Sequence, residues 1–272
     1  MARNNVTIKD VAREAGVSIA TVSYVINNRT DVKLKDETRK KVLQVINLLG
    51  YTPNQAAKAL VANRKSLLAV YLPSGSSPLC DAQGLSVLKA LSNYFHKNQF
   101  EVLLLNDSDL CKCDQADAII CYNTDKASFF RLGDNNFIPL IALDCMVNDP
   151  LFYQLNTDPA FILDRAREVF SGEDFTVVLL SSPNQEKNDF YRAAFPSVTF
   201  VSSYEELDAL HGKNLVVLDS VLHNLLQPHA KVLYLPSLSD VKLANLSKCI
   251  DATLKRTSID QHDILVGGED VI

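Results

Sequence analysis

The stretch TIKDVAREAGVSIATVSYVIN, residues 7–27, holds two short amphipathic segments joined at a single glycine. Apolar residues recur at helical spacing through the first segment: Ile8, Val11, Ala12 and Ala15. Thr7, followed three residues later by Asp10, is a weaker form of the capping box that begins many helices. Gly16 tolerates the left-handed backbone with which helices commonly end. The stretch therefore predicts a short helix that ends at Gly16.

The second segment predicts another short helix, which begins at its cap Ser18. Its inward residues are Val22, Val25 and Ile26, whereas Ile19, Ala20, Ser23, Tyr24 and Asn27 point outward beside Thr21. An outward face with apolar side chains is unusual for a helix that only covers a core. It is typical of a helix in the major groove, where apolar groups meet thymine methyls and hydroxyls meet phosphates. A plain helical bundle is the alternative.

A third helix is predicted over residues 36–49, and a fourth start follows in GYTPNQAAKALVANRKS, residues 50–66. Thr52 is a cap, Pro53 suits the first helical position and Gln55 completes a capping box. The resulting helix, to about Ala62, is too short to persist alone in water, so it needs a partner helix or DNA. Leu60 is the kind of residue that minor-groove proteins insert between base steps.

Charge is distributed unevenly along the 272 residues. Residues 1–65 hold twelve Lys and Arg against five Asp and Glu, whereas the remainder holds 15 against 27. The net charge of −5 thus conceals a head of +7 and a body of −12. Such a head favours a polyanionic partner for itself alone.

Residues 6–66 resemble the DNA-binding head and hinge of the LacI/GalR family of bacterial transcription regulators. The resemblance runs through TIKDVAREAGVS, TVSYVIN, ETRKKV and GYTPNQAAKAL. It implies a helix-turn-helix domain over residues 1–51, a hinge helix and linker over 52–65, and an effector-binding and dimerisation body over 66–272. It also implies a homodimer, in which paired hinge helices insert Leu60 into the minor groove of a pseudo-palindromic operator.

The resemblance further implies which residues contact DNA. Bases are read by Ile19, Ala20 and Tyr24, phosphates are held by Thr7, Ser18, Thr21, Ser23 and Asn27, and Arg29, Ala56 and Ala59 join Leu60 as further contacts. Because Ile19 and Ala20 have no side-chain donors, we expect specificity to depend on methyl contacts, on Tyr24 and on DNA deformation.

The body alternates apolar runs with amphipathic helices from Leu67 onward. The runs are LLAVYLP, EVLLLN, AIICYN, PLIALD, FTVVLLSS, VTFVSS, NLVVLD, KVLYLP and DILVGG. Continuous apolar runs of this kind are typical of buried parallel strands. They predict a doubly wound α/β fold, in which a ligand sits at the carboxyl ends of the strands. The resemblance implies a periplasmic-binding-protein-like body of two subdomains, about 66–147 with the C-terminal part and 148–235.

The body departs from the family's pattern at the places that line its cleft. It is short, LNDSDLCKCDQADAIIC leaves little room for a helix between two strands, and Lys187 stands where the family has an arginine. The candidate effector-binding residues are Asp144, Lys187 and Asp219. Lysine does not replace an arginine that binds a ligand with two parallel hydrogen bonds, so the nature of the effector stays open. The alternatives are a sugar or related metabolite, another small ligand, a protein corepressor, or no effector at all.

Other functional classes have little support in the sequence. The five histidines have no metal-ligand spacing, and no phosphate loop, GxGxxG or GxSxG motif is present, so we expect no enzyme and no cofactor. The cysteines, at 80, 111, 113, 121, 145 and 249, have neither disulfide-framework nor metal-site spacing. Without a long apolar span or a secretory signal, the chain is expected in the cytoplasm, on the nucleoid when bound to DNA. A ligand- or protein-docking module remains the alternative to a repressor.

Overall fold

The computed structural model describes residues 6–26, 34–49, 66–73, 77–106, 113, 115–136, 138–255, 257 and 261–268. The chain divides into two compact units, Met1–Arg64 and Lys65–Ile272, which we call the head and the body. The division lies where the sequence pattern changes from amphipathic helices to alternating strands and helices.

The head contains the helices α1 (Ile8–Ala15), α2 (Ile19–Ile26) and α3 (Asp36–Leu49). Their apolar stripes meet in one small core of Val11, Ala12, Ala15, Val22, Val25, Val42 and Val45. The first three helices predicted for the head are present at the predicted places, and the predicted hinge helix lies outside the described residues. Because the side chains at these contacts are small, the helices are able to approach closely.

One part of the body, built from the first strands of the body and the last described strand, contains a six-stranded parallel sheet. Its strands are β1 (Ser66–Tyr71), β2 (Phe100–Leu105), β3 (Ala118–Tyr122), β4 (Leu140–Leu143), β5 (Tyr153–Thr157) and β10 (Asp263–Val266), in the spatial order β10-β5-β4-β3-β1-β2. Helices α4 (Pro78–Lys97) and α9 (Asp240–Lys255) pack on one face of the sheet, and α5 (Lys126–Asn135) packs on the other.

A four-stranded parallel sheet forms the second half. Its strands are β6 (Thr176–Leu180), β7 (Val198–Val201), β8 (Asn214–Val217) and β9 (Lys231–Tyr234), in the order β7-β6-β8-β9. Helix α8 (Ser220–Leu226) covers one face, α6 (Pro159–Phe170) and α7 (Gln185–Ala194) cover the other, and a 3-10 helix spans Glu205–Leu210. Both faces of each sheet are therefore covered, as parallel strands require.

Strand β5 corrects the predicted subdomain boundary. Residues 148–235 were expected in the second subdomain, but β5 pairs with β4 and β10 in the six-stranded sheet. The apolar-run criterion misses β5 because its sequence, YQLNT, is largely polar although all five residues are buried. Hydrogen bonds make this burial possible: Gln154 Oε1 accepts from the amides of Val147 and Asn148 at 2.9 Å, and Asn156 Nδ2 donates to the Cys145 carbonyl at 3.3 Å.

Two further expectations concern the short connection between β2 and β3 and the length of the apolar segments. Residues 107–112 and 114 lie outside them, so most of the short connection predicted between β2 and β3 is not described. None of the helices within the described ranges has the length and apolar character needed to cross a lipid bilayer.

Candidate nucleic-acid interface and body cleft

The first helix of the head begins with the predicted capping box. The Thr7 amide donates to Asp10 Oδ2 at 3.0 Å, and the Thr7 hydroxyl donates to the same oxygen at 2.7 Å. The hydrogen bonds from Thr7, with the nearby Arg13 guanidinium, hold the pKa of Asp10 below its ordinary value. Thr7 itself is exposed, at the start of the helix.

The turn between α1 and α2 is built on Gly16 and Ser18. Gly16 has a φ of 64°, in the left-handed region, and its amide donates back to the end of α1. Ser18 Oγ then accepts from the Thr21 amide at 3.1 Å and lies 2.9 Å from the Thr21 hydroxyl oxygen. The turn thus fixes where α2 starts and which side it exposes.

Helix α2 exposes the side that the sequence predicts. Val22 and Val25 are buried against the other helices, whereas Ile19 is 45% exposed. The remaining predicted contacts described on or before this helix are exposed or partly exposed: Ser18, Ala20, Thr21, Ser23 and Tyr24. An isoleucine, an alanine, a tyrosine and three hydroxyl residues therefore lie at one solvent-facing surface. The other predicted contacts, Asn27, Arg29, Ala56, Ala59 and Leu60, lie outside the described residues.

The body has a cleft where the carboxyl ends of strands from both sheets meet. Asn123 and Asp144 follow β3 and β4 of the six-stranded sheet, and Asp219 follows β8 of the four-stranded sheet. Asn123 and Asp144 have φ values of 47° and 52°, a conformation that asparagine and aspartate adopt more readily than most residues. All three predicted effector residues, Asp144, Lys187 and Asp219, line one cavity here.

Asp144 is buried and forms an ion pair with Lys242 of α9. The Lys242 amino group also donates to the Thr157 hydroxyl at 3.0 Å. Burial lowers the pKa of Lys242, against the opposing effect of the Asp144 carboxylate. Asp144 Oδ2 has no hydrogen-bond partner in the described part of the chain. The carboxylate that was predicted for an effector thus already has an internal cation.

Lys187 and Asp219 also have internal partners. Lys187 Nζ donates to Asn123 Oδ1 at 3.1 Å. Asp219 precedes α8 and accepts from the Leu180 amide at 3.1 Å. Burial raises the pKa of Asp219, although the charge of Lys187 opposes the shift.

The cavity itself is small. Besides the three charged residues, its lining includes Tyr122 and Tyr191. The volume is about 30 Å³. A single water needs about 10–15 Å³ on this scale, so the cavity has room for one or two waters.

Two of the residues that organise this cleft, Lys242 and Asn184, are absent from the candidate residues predicted from the sequence. Lys242 shares a helical face with Asn245, Leu246 and Cys249, all of which are buried. A charged residue on an apolar stripe is a readable signal for a buried ion pair. From the sequence alone, Asn184 is recognisable only as a residue that suits the N-cap of α7.

No metal centre is found among the described residues, in which no group of three or more His, Cys, Asp or Glu is placed to hold an ion. The described cysteines, 80, 113, 121, 145 and 249, are free thiols. Burial raises the pKa of Cys145 to about 12, which makes its thiol inert at neutral pH.

Known proteins resemble the head more strongly than the body. Residues 7–54 match the family described as bacterial regulatory proteins, lacI family. Catabolite control protein A from Streptococcus mutans is 49% identical over 71 residues, which cover 26% of this chain and 21% of that protein. The HTH-type transcriptional regulator RegA from Clostridium acetobutylicum is 30% identical over 206 residues, which cover 75% of this chain and 51% of that protein.

The matched segments of this chain therefore span about a fifth of the first relative's length and about half of the second's. Among solved structures, a LacI-family transcriptional regulator from Silicibacter pomeroyi has a TM-score of 0.50 at 18% identity, with 96% of each chain covered. That likeness concerns the fold. The chain carries the DNA-binding domain of the LacI family of bacterial regulatory proteins, followed by an α/β body with the fold of such regulators.

Proposed function

We propose that the protein is a transcription regulator, a repressor that binds a pseudo-palindromic operator as a homodimer. The observation that carries this proposal is the exposed face of α2, where Ile19 and Tyr24 lie beside hydroxyl residues on a helix fixed by Gly16 and Ser18. The charge of the two units supports it, because only the head is basic. The names of the relatives, which are those of regulators, support a regulator over an enzyme.

Each head would lie in one major groove of the operator. Ile19 and Ala20 would contact thymine methyls, and Tyr24 would read a base edge. Thr7, Ser18, Thr21, Ser23 and Asn27 would hold phosphates, with Arg29 adding charge. Two heads on one dimer would then need half-sites about one helical turn apart.

The hinge would act at the operator centre. Ala56, Ala59 and Leu60 would belong to a short helix that pairs with its copy and contacts the minor groove. Two copies of Leu60 would wedge between base steps and kink the duplex, so that deformable central sequences are preferred.

Tyr24 provides the test of this arrangement. We expect Tyr24→Ala to relax base preference at one position in each half-site, at a cost of about 1–3 kcal/mol for a good base contact. Binding would be measured on duplexes that carry each of the four bases at every half-site position. Tyr204→Ala is the matched control, because Tyr204 is an exposed tyrosine of the body. A preference profile that is the same in Tyr24→Ala and wild type would remove Tyr24 from base recognition.

A further inference from the structure

Asn184 joins the two sheets of the body through its side-chain amide. It is fully buried and caps α7, where its Oδ1 accepts from the Lys187 amide at 2.8 Å. The same oxygen accepts from the Met146 amide at 3.1 Å. Nδ2 donates to the carbonyls of Thr124 at 2.9 Å and Met146 at 3.1 Å. Two donor and two acceptor positions are thus all used, three of them on loops of the six-stranded sheet.

Asn123 receives a second set of bonds from the same side of the cleft. The Ser182 hydroxyl donates to Asn123 Oδ1 at 2.6 Å, and Lys187 Nζ donates to that oxygen at 3.1 Å. Ser182 and Lys187 belong to the segment after β6, whereas Asn123 follows β3. Every one of these bonds therefore runs between the two sheets.

Helix α4 supplies further contacts between the sheets. Gln83 is buried, and its Oε1 accepts from the Ser220 hydroxyl at 2.9 Å and from the Val221 amide at 3.2 Å. The Cys80 thiol donates to the Ser181 carbonyl at 3.4 Å. Leu79, on the same helix, is fully buried in the core of the four-stranded sheet. On α4, Leu79, Cys80 and Gln83 lie far in sequence from Asn184 and its partners.

The space left between the sheets does not suit a metabolite. Small-molecule sites generally enclose about 300 Å³ or more, whereas this cavity has about 30 Å³. The Asp144 carboxylate, which faces the cavity, has its cation in Lys242. Side chains from both sheets thus fill most of the space at this cavity.

We propose that the body closes its cleft with its own side chains, through Asn184, Ser182, Lys187 and Gln83, and that the closed state requires no small molecule. A ligand shifts a conformational equilibrium only as far as it favours one state over the other. When internal bonds already favour closure, a cleft ligand has little left to add. The inference deepens the proposed regulator function: the DNA-binding state of the body does not wait for a metabolite in this cleft.

Amide hydrogen exchange of the full chain, without DNA, tests the proposal. Val221 is the informative amide, because it donates to Gln83 across the cleft in a bond that does not involve Asn184. If the cleft opens as a unit, Asn184→Ala will speed exchange at Val221 about tenfold or more, as loss of buried hydrogen bonds favours opening. Local damage alone would change only Met146, Lys187 and their neighbours.

Asn136→Ala is the matched control. Asn136 is also a buried asparagine, and its side chain accepts from the Cys113 amide at 2.6 Å and donates to the Leu132 carbonyl at 2.9 Å, away from the cleft contacts. We expect Val221 exchange to stay at the wild-type rate in this variant. Unchanged exchange at Val221 in Asn184→Ala, or an equal rise in both variants, overturns the proposal.

Two further measurements complete the test. If Asn184→Ala does not fold, Gln83→Ala is read at the Met146 amide, where the proposal again requires an increase. D-Ribose and D-glucose, added at millimolar concentration to wild type, should leave Val221 and Met146 exchange unchanged, and slower exchange with either sugar overturns the proposal. Since no DNA is present, a head that fails to bind DNA would leave these results unaffected.

Discussion

Lys242 and Asp144 place two opposite charges inside the body, where removing either one leaves the other without a counter-ion. We expect Lys242→Met to destabilise the body by about 3–5 kcal/mol, because the remaining buried carboxylate is uncompensated. The double variant Lys242→Met/Asp144→Asn should recover most of this loss, and asparagine suits the positive φ at position 144. Urea denaturation of each variant measures the difference.

Lys255→Met serves as the control for this pair. Lys255 lies on the same helix but is exposed, and it pairs with Asp251 at 3.0 Å on the surface. Its replacement should cost about 1 kcal/mol or less. If the double variant is no more stable than Lys242→Met, the stability lost in Lys242→Met does not come from the unpaired Asp144 carboxylate.

Because of Asp219, we expect the stability of the body to fall as pH rises, which is opposite to the effect of a carboxylate whose pKa is lowered on folding. The pKa of Asp219 is raised by burial, so its contribution to stability is fully present below the unfolded pKa of about 3.9 and is lost as pH rises through the folded value. We expect Asp219→Asn, which retains an acceptor for the Leu180 amide, to melt above wild type at neutral pH. The two melting temperatures should converge near pH 4 and below. A variant that melts below wild type at neutral pH would contradict this.

At the level of elements, the turn of the head depends on Gly16. An added Cβ would meet only Lys41 Nζ at 3.8 Å, so the cost of Gly16→Ala comes from the φ of 64°. We expect a loss of about 1–2 kcal/mol in the stability of the head. Chemical denaturation followed by NMR at Val22 measures it.

Gly133→Ala gives the matched comparison within a helix. Gly133 lies in α5 without a positive φ, and the nearest atom to an added Cβ is Leu140 Cδ2 at 3.8 Å. The same substitution should therefore stabilise the body by up to about 1 kcal/mol, read at Phe129. If both substitutions change the free energy of unfolding equally, the left-handed backbone at Gly16 does not disfavour an alanine side chain.

Elements with strong local patterns are readable from the sequence. The head helices and nine of the strands follow from periodicity, caps and apolar runs. Strand β5 does not, because its buried Gln154, Asn156 and Thr157 form hydrogen bonds with partners outside the strand. The candidate cleft residues Asp144, Lys187 and Asp219 were found by position after a strand or by resemblance. Their partners, Lys242 and Asn123, come from distant segments that no local pattern connects to them.

At the level of the whole molecule, the two ends of the sequence have opposite net charges, +7 for residues 1–65 and −12 for residues 66–272. Positive charge favours association with DNA of any sequence, and negative charge opposes it. Under the proposed function, sequence discrimination comes from α2 and the hinge, and the state of the body comes from the proposed contacts that close its cleft. Under the same function, this division of charge serves the recognition of one operator.

Selection of binding sites from a pool of random double-stranded DNA, with the full chain at physiological salt, measures this recognition. We expect enrichment of a pseudo-palindrome with half-sites about one helical turn apart, bound roughly 10³-fold or more tighter than a scrambled duplex of the same composition. Absence of an enriched motif, or equal affinity for the selected and scrambled duplexes, would contradict it.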